Sequence, residues 1–250
     1  MAAAGAAAAA TGPVRVAGGH HFAGYHASAR GPALVVTTRH LAGYQAASNE
    51  RRLFRYAATT LRVSACKVPV APTRNPVAVM ALFGGRNWDA EIDVLCGGGA
   101  HSVLFFDQKT ATTHATGAFP LSPRVGDRLR ISISRNVSRH RDSLTVTNLR
   151  TRGSRTVRVT TSTAVRYHHV FMGSVIGSNA DVMPLPANNT LLWTFRSSRV
   201  VTTSGVRGTL RGPWAAVKYV DRTAGGVLVM FAGKLSPAGG SFNTFLHAAP

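Results

Sequence analysis

Apolar and polar residues alternate along much of the chain, and turn-forming residues interrupt this pattern at short intervals. Leu129, Ile131 and Ile133 alternate with arginine and serine, which is typical of a half-buried β-strand. No segment shows a 3.6-residue period with helix caps. The pattern therefore predicts an all-β protein, either a sandwich or a barrel. Further strands are predicted at residues 54–63, 77–83, 92–95, 103–106, 144–149, 156–160, 165–176, 190–195, 215–220 and 227–231.

The first 38 residues differ from the rest because an alanine tract leads into weakly patterned, glycine-rich sequence. We expect a disordered leader over 1–38 and one β-sandwich domain over 39–250. No basic residue precedes the alanine tract, so the leader is not a convincing secretory signal. No apolar stretch approaches 18 residues, and no membrane-spanning segment is predicted. Residues 21–27 and 40–46 have similar sequences. This similarity indicates either two short edge segments or chance.

The net charge of the chain indicates which class of partner it favours. The chain has 29 basic and 9 acidic residues, a formal net charge of +20, which favours association with polyanions. Part of this excess is also what a high-GC coding sequence produces, since arginine far outnumbers lysine. Arg128, Arg130 and Arg158 alternate with apolar residues and predict a basic outer face. Residues 124–166 contain no aromatic side chain, so this stretch lacks the stacking platform of single-strand binders.

Several short motifs follow one another along about residues 39–248. They are His40-Leu41-Ala42-Gly43-Tyr44, Val68-Pro69, Leu82-Phe83-Gly84-Gly85, Pro123 to Leu129, the Leu144 to Val159 hairpin, and Leu185-Pro186 before Phe195. Their order resembles that of the glutamic peptidase (eqolisin) family. The resemblance implies a two-sheet antiparallel sandwich of the concanavalin-like, jelly-roll type, with a groove on one sheet.

The resemblance also implies where the catalytic Gln and Glu of that family would lie. These positions read Cys96 and Gly173 in this chain, and neither residue supplies a general base for water or an amide oxyanion donor. We therefore expect a non-catalytic binding or structural module that uses the groove or the basic face. Two alternatives stay open: an acid-active endopeptidase with a displaced dyad, and a protein that binds nucleic acid or polysaccharide. The groove candidates are His168, Phe171, Phe105 and Asp181.

A replacement dyad is one further hypothesis. Cys96 with His168 or His169 would pair a nucleophile with a base if they faced each other; the alternative is a small buried cysteine. Cys66 and Cys96 are both expected to be reduced and not paired with each other. The resemblance implies a secreted or cell-surface protein, and without a convincing signal a cytoplasmic one stays open.

Asp89, Glu91 and Asp93 alternate, which predicts three carboxylates on one strand face. Such a cluster is either a cation or sugar site or a solvated group at a loop edge. No metal site and no cofactor are predicted, because zinc spacing and phosphate-binding loops are absent from the sequence. We expect a monomer whose partner is an anionic polymer or a peptide.

Overall fold

Strands make up all the regular structure among the residues that the computed structural model describes. The described residues are 10–16, 20–25, 34–38, 41–47, 53–65, 77–84, 88–97, 100–109, 112–162, 165–175, 188–222 and 226–247. Within them no helix is long and apolar enough to cross a membrane. The strands are β1 (Ala10–Val16), β2 (His20–Tyr25), β3 (Leu34–Thr38), β4 (Leu41–Ala47), β5 (Phe54–Arg62), β6 (Val77–Gly84), β7 (Trp88–Gly97), β8 (Ala100–Lys109), β9 (Thr112–Phe119), β10 (Arg128–Asn136), β11 (Arg141–Asn148), β12 (Ser154–Thr160), β13 (His169–Val175), β14 (Thr190–Thr202), β15 (Arg207–Gly208), β16 (Ala215–Arg222), β17 (Leu228–Ala232) and β18 (Phe242–Leu246).

Hydrogen bonding joins the strands in the order β12-β11-β10-β5-β14-β18-β17-β16-β4-β13-β6-β7-β8-β9, with β15 on β14 and β3 on β16. Every pair along this path is antiparallel. The path folds back on itself, so that the β12-β11-β10-β5-β14 layer packs against the β4-β13-β6-β7-β8-β9 layer. The all-β antiparallel sandwich predicted from the alternation is confirmed.

The main core lies between these two layers. It is filled by the apolar side chains that alternate with outward-pointing residues along the strands. Leu129, Ile131 and Ile133 of β10 are fully buried against residues such as Ile92 of β7 and Met172 of β13. The arginines and serines between them point away from the core, as their burial pattern shows. One layer thus turns an apolar face inward and a polar face to solvent.

Several strands depart from the sequence-based expectation. β3 lies inside the expected leader of residues 1–38, yet it pairs parallel with β16, with Val36 opposite Tyr219; the β1–β2 hairpin also falls in that stretch. β4 is not an edge segment, because it lies between β13 and β16 and all seven of its residues are buried. Buried alanine and glycine give β4 no alternation that a pattern search would detect.

Candidate functional site

The β4–β13–β6–β7 layer has a second face, on the side away from the main core. We call it the carboxylate face, defined by Gln45, Asp89, Glu91, Asp93 and Phe171. All five side chains are buried. A separate apolar cluster around Phe171 packs there; its other members include Val36, Leu41, Val79, Ala81, Phe83, Val217 and Tyr219.

Three carboxylates lie on this face because β7 alternates. The strand register places Asp89 opposite Phe83, Glu91 opposite Ala81 and Asp93 opposite Val79. The predicted sharing of one strand face is confirmed, but the solvated loop-edge interpretation is wrong. These side chains are only 4%, 1% and 6% exposed, because β7 is an interior strand between β6 and β8.

Burial changes the acidity of two of these groups. It raises the pKa of Glu91 well above its ordinary range, and the neighbouring charges of Asp93 and Asp89 raise it further. Burial also raises the pKa of Asp93, to about 6. Glu91 and Asp93 therefore stay protonated at a pH at which exposed carboxyl groups are ionised.

This pair predicts a pH dependence of stability. A carboxyl group whose pKa is raised on folding stabilises the native state below its unfolded pKa, and that contribution is lost as the pH rises through the folded value. For Asp93 we expect the free energy of unfolding to fall between about pH 4 and 6. Glu91→Gln/Asp93→Asn should flatten this slope in urea titrations at stepped pH. A slope that is unchanged in the double variant would contradict the assignment.

A hydrogen-bonded group of three side chains lies beside the carboxylates. Gln45 and His169 are joined through Nε2 and Nδ1 at 2.9 Å, and the Tyr219 hydroxyl donates to Gln45 Oε1 at 2.5 Å. The Phe83 ring stacks on His169 with centroids 4.9 Å apart. Sequence reasoning missed Gln45 and Tyr219, because nothing in their local pattern links β4 to β16. The arrangement satisfies buried polar groups on β4, β13 and β16.

The structure separates the dyad positions implied by the resemblance. The register row through Gly173 runs from Gly43 through Val79 to Asp93. Asp93 therefore lies two strands from Gly173, roughly 10 Å away. Cys96 is three residues further along β7 and pairs with His101; its side chain falls outside the described part of the structure.

No side chain is present at Gly173, and its surroundings leave no room for one. An added Cβ would lie 2.6 Å from Phe171 Cζ and 2.8 Å from Gly43 Cα. The Phe171 ring thus covers two glycines that face each other on β13 and β4. The place where the resemblance expects a glutamate is filled by an aromatic ring.

The other groove candidates do not converge on this face. Phe105 lies on the main-core side, where its ring contacts Phe119 at 5.4 Å, so its assignment to the groove is corrected. His168 is half-buried just before β13, and its ring centroid is 6.4 Å from that of His169. Asp181 and Cys66 lie outside the described residues. The expectation that Cys66 and Cys96 are not paired with each other therefore stays a prediction. No cluster of three or more potential metal ligands occurs among the described residues.

The outer face of the other layer carries the predicted arginines. Arg128, Arg130 and Arg158 are exposed, as the alternation predicts. We call this surface the basic face, defined by the outward residues of β12, β11, β10, β5 and β14. One register row across it reads Ser154, Thr147, Arg130, Thr60 and Arg196. Each guanidinium group in this row lies beside a hydroxyl group.

Few carboxylates compensate these charges, because the described carboxylates are inside the protein. Of nine acidic residues, all but Glu50 and Asp181 are described, and every one of those seven is buried: Asp89, Glu91, Asp93, Asp107, Asp127, Asp142 and Asp221. Fifteen described arginines are exposed. The described residues form two ion pairs, Arg135–Asp142 and Arg150–Asp127. The described surface is therefore cationic almost throughout.

Comparison with solved structures places this fold. The complex of scytalido-glutamic peptidase with a peptide-based transition-state analogue superposes with a TM-score of 0.61 at 12% identity, covering 84% of this chain and 98% of that one. SCP-B, an eqolisin peptidase bound to the tripeptide Ala-Ile-His, gives a TM-score of 0.55 at 11% identity, with the same two coverages. No family model matches the sequence, and a comparison with curated proteins finds no relative. The chain thus has an antiparallel β-sandwich fold that resembles that of the eqolisin glutamic peptidases.

Proposed function

We propose that this protein is a non-catalytic binding module that holds an anionic polysaccharide on its basic face. The observation that carries this proposal is the separation of charge, with the described carboxylates buried and fifteen described arginines exposed. A surface without opposing carboxylates attracts polyanions through long-range attraction and counterion release.

The positions of the arginines on the basic face support an extended ligand. Arg128 of β10 lies directly opposite Arg62 of β5, and like charges at opposed positions repel each other. An anionic group bound between them would relieve that repulsion. The row through Arg130 places another arginine, Arg196, two strands away, roughly 10 Å. This spacing suits a polymer with repeating charges.

The hydroxyl groups favour a sugar over a nucleobase. Thr145 and Thr156 hydroxyls lie 2.8 Å apart, and so do those of Thr147 and Ser154. These exposed pairs are placed to exchange hydrogen bonds with sugar hydroxyls. Tyr56 is the one aromatic outward residue that the register places on this face among the described strands, so consecutive bases would find no series of stacking partners.

Binding of fluorescently labelled heparin tests the proposal. We expect the Kd to rise by more than about tenfold between 50 and 200 mM salt, since at least three arginines contact the polymer. Arg128→Gln/Arg130→Gln/Arg158→Gln should weaken binding about tenfold further. The matched control is Arg124→Gln/Arg139→Gln/Arg152→Gln, which removes the same charge from exposed turns. Equal losses in the two triple variants would contradict a role for the basic face, and tighter binding of a single-stranded oligonucleotide would overturn the preference for polysaccharide.

Acid-active peptidase chemistry is a second candidate, favoured by one observation. Glu91 and Asp93 share the carboxylate face, where the pKa of Glu91 is well above its ordinary range and that of Asp93 is about 6; an acid–base pair needs two groups whose pKa values are pushed apart. Both are at most 6% exposed, however, and a general base must reach the water and the scissile amide.

We expect no specific cleavage of denatured casein between about pH 2 and 7, the range in which carboxylates titrate. Products would be identified by mass spectrometry. Cleavage that is lost in Glu91→Gln or Asp93→Asn would establish the peptidase instead. Loss in Asp181→Asn or in Cys96→Ala would assign it to those residues.

A further inference from the structure

A depression of about 390 Å³ opens at one end of the basic face, where β14, β15, β5 and β10 meet. Its polar lining is formed by Arg55, Tyr56, Ser134, Arg135, Arg199 and Arg207. The resemblance to glutamic peptidases gives this region no role, because it lies on the layer opposite the carboxylate face.

Strand register explains why these side chains converge. One row runs from Ser134 of β10 through Tyr56 of β5 and Val201 of β14 to Arg207 of β15. The register of β14 against β5 shifts between Arg196 and Arg199, where Ser197 has a φ of 53°. This irregularity sets Arg199 opposite Ala58, next to the same row. A second shift follows Val201, near the point where Arg55 is exposed.

Three of the four guanidinium groups that line the depression have no partner among the described residues. The side chains of Arg55, Arg199 and Arg207 make no hydrogen bond or ion pair there, and all three residues are exposed. The fourth, Arg135, is paired with the buried carboxylate of Asp142, which also accepts from Tyr167. Beside this pair, three like charges surround one cavity with no further carboxylate among the described residues to balance them, and an anionic ligand would supply that balance.

We propose that this depression binds a phosphate or sulfate ester carried on a sugar. Guanidinium groups present paired donors that match tetrahedral oxyanions, and the hydroxyls of Tyr56 and Ser134 add further donors. The ring of Tyr56 and the side chain of Val201 supply an apolar wall for the sugar. The row continues through Ser143 to Arg158 of β12, so the depression and the basic face form one surface. In this respect the inference rests on the proposed function and specifies the charged group.

Calorimetric titration of the full chain with glucose 6-phosphate and with glucosamine 6-sulfate tests the site, with glucose as the uncharged control. We expect saturable binding of at least one ester and none of glucose. Arg199→Gln/Arg207→Gln should weaken that binding at least tenfold, whereas Arg139→Gln/Arg152→Gln should leave it within about twofold. The tighter ester identifies which oxyanion the site prefers.

Three results would overturn the inference. The first is no saturable binding of either ester up to about 10 mM, a range of weak affinity. The second is equal binding of glucose, and the third is full affinity in the Arg199→Gln/Arg207→Gln variant. Amide chemical shifts of Val201 and Gly208 report directly on occupancy of the depression. Failure here is distinguishable from failure of the proposed function. If heparin binding depends on Arg128, Arg130 and Arg158 but neither ester binds, only the proposed site in the depression is rejected. If an ester binds in the depression but heparin binding does not depend on these arginines, the proposed polysaccharide binding by the basic face is rejected.

Discussion

Asp142→Asn is expected to lower the free energy of unfolding by about 3–5 kcal/mol, because it leaves a buried guanidinium without its counter-ion. Arg135 Nη1 lies 3.1 Å from Asp142 Oδ1, and the two side chains are 3% and 0% exposed. The hydroxyl of Tyr167 donates to the same carboxylate. Arg135 also donates to the Thr161 hydroxyl and, at 3.0 Å, to the Ser162 carbonyl.

This network ties β10, β11 and the segment before β13 together. Burial raises the pKa of Asp142 more than its bonds to Tyr167 and Arg135 lower it, so desolvation is a large part of its energy. Removing one partner keeps the desolvation cost of the other and loses the attraction. Urea denaturation at pH 7 measures the loss.

Two matched variants separate this effect from a general loss of charge. Arg150→Gln breaks the Arg150–Asp127 pair, whose arginine side chain is 52% exposed, and should lower the free energy of unfolding far less than Asp142→Asn, because solvent screens the pair and Asp127 keeps its bonds from the Arg124 amide and from Asn148. Arg135→Met/Asp142→Leu removes both buried charges and should recover most of the stability lost in Asp142→Asn. An Asp142→Asn variant within 1 kcal/mol of the parent would refute a structural role for the pair.

Gly173→Glu, which places a glutamate at the position where the resemblance implies one, is expected to prevent native folding rather than create a peptidase. The added Cβ would meet backbone of β4, at the Ala42 carbonyl and the Gly43 Cα, as well as the Phe171 ring. Backbone atoms held by pairing on both sides cannot move aside as a flexible side chain can. Even Gly173→Ala should cost about 3 kcal/mol, near the upper range for overpacking.

Gly240→Ala is the control for this substitution. Gly240 is also buried, but an added Cβ there has no neighbour closer than 3.8 Å, so we expect a change below about 1 kcal/mol. Thermal unfolding of the three variants gives the comparison. A folded Gly173→Glu protein with acid-dependent cleavage of casein would show that the sandwich can still accept the family's chemistry.

The sequence predicted those parts of the fold in which alternation and burial coincide. β10, β11 and β12 have one apolar and one polar face, so their pattern is strong. β4 lacks alternation because both of its faces are buried, and the segment Leu41–Ala47 gave no strand signal of its own. β9 and β18 also went unpredicted; β9, for example, is built largely from threonine, alanine and glycine.

The candidate sites were predictable only in part. Alternation correctly placed Asp89, Glu91 and Asp93 on one face, but charge alone suggested solvent where the structure shows burial. The depression depends on a shift of register near Ser197 and on the pairing of Arg207 with Val201. These are long-range features of the backbone, and no local residue pattern predicts them.

The interior position of the described carboxylates has a consequence for charge regulation. An ordinary protein gains positive surface charge on acidification, because its surface carboxylates take up protons. Here the described surface offers arginine, which stays charged at every physiological pH, and no described carboxylate to titrate. Apart from the histidines and the buried pair Glu91 and Asp93, whose pKa values are raised, the described residues therefore add little charge on acidification. Ionic strength becomes the variable by which the surroundings engage or release an anionic partner.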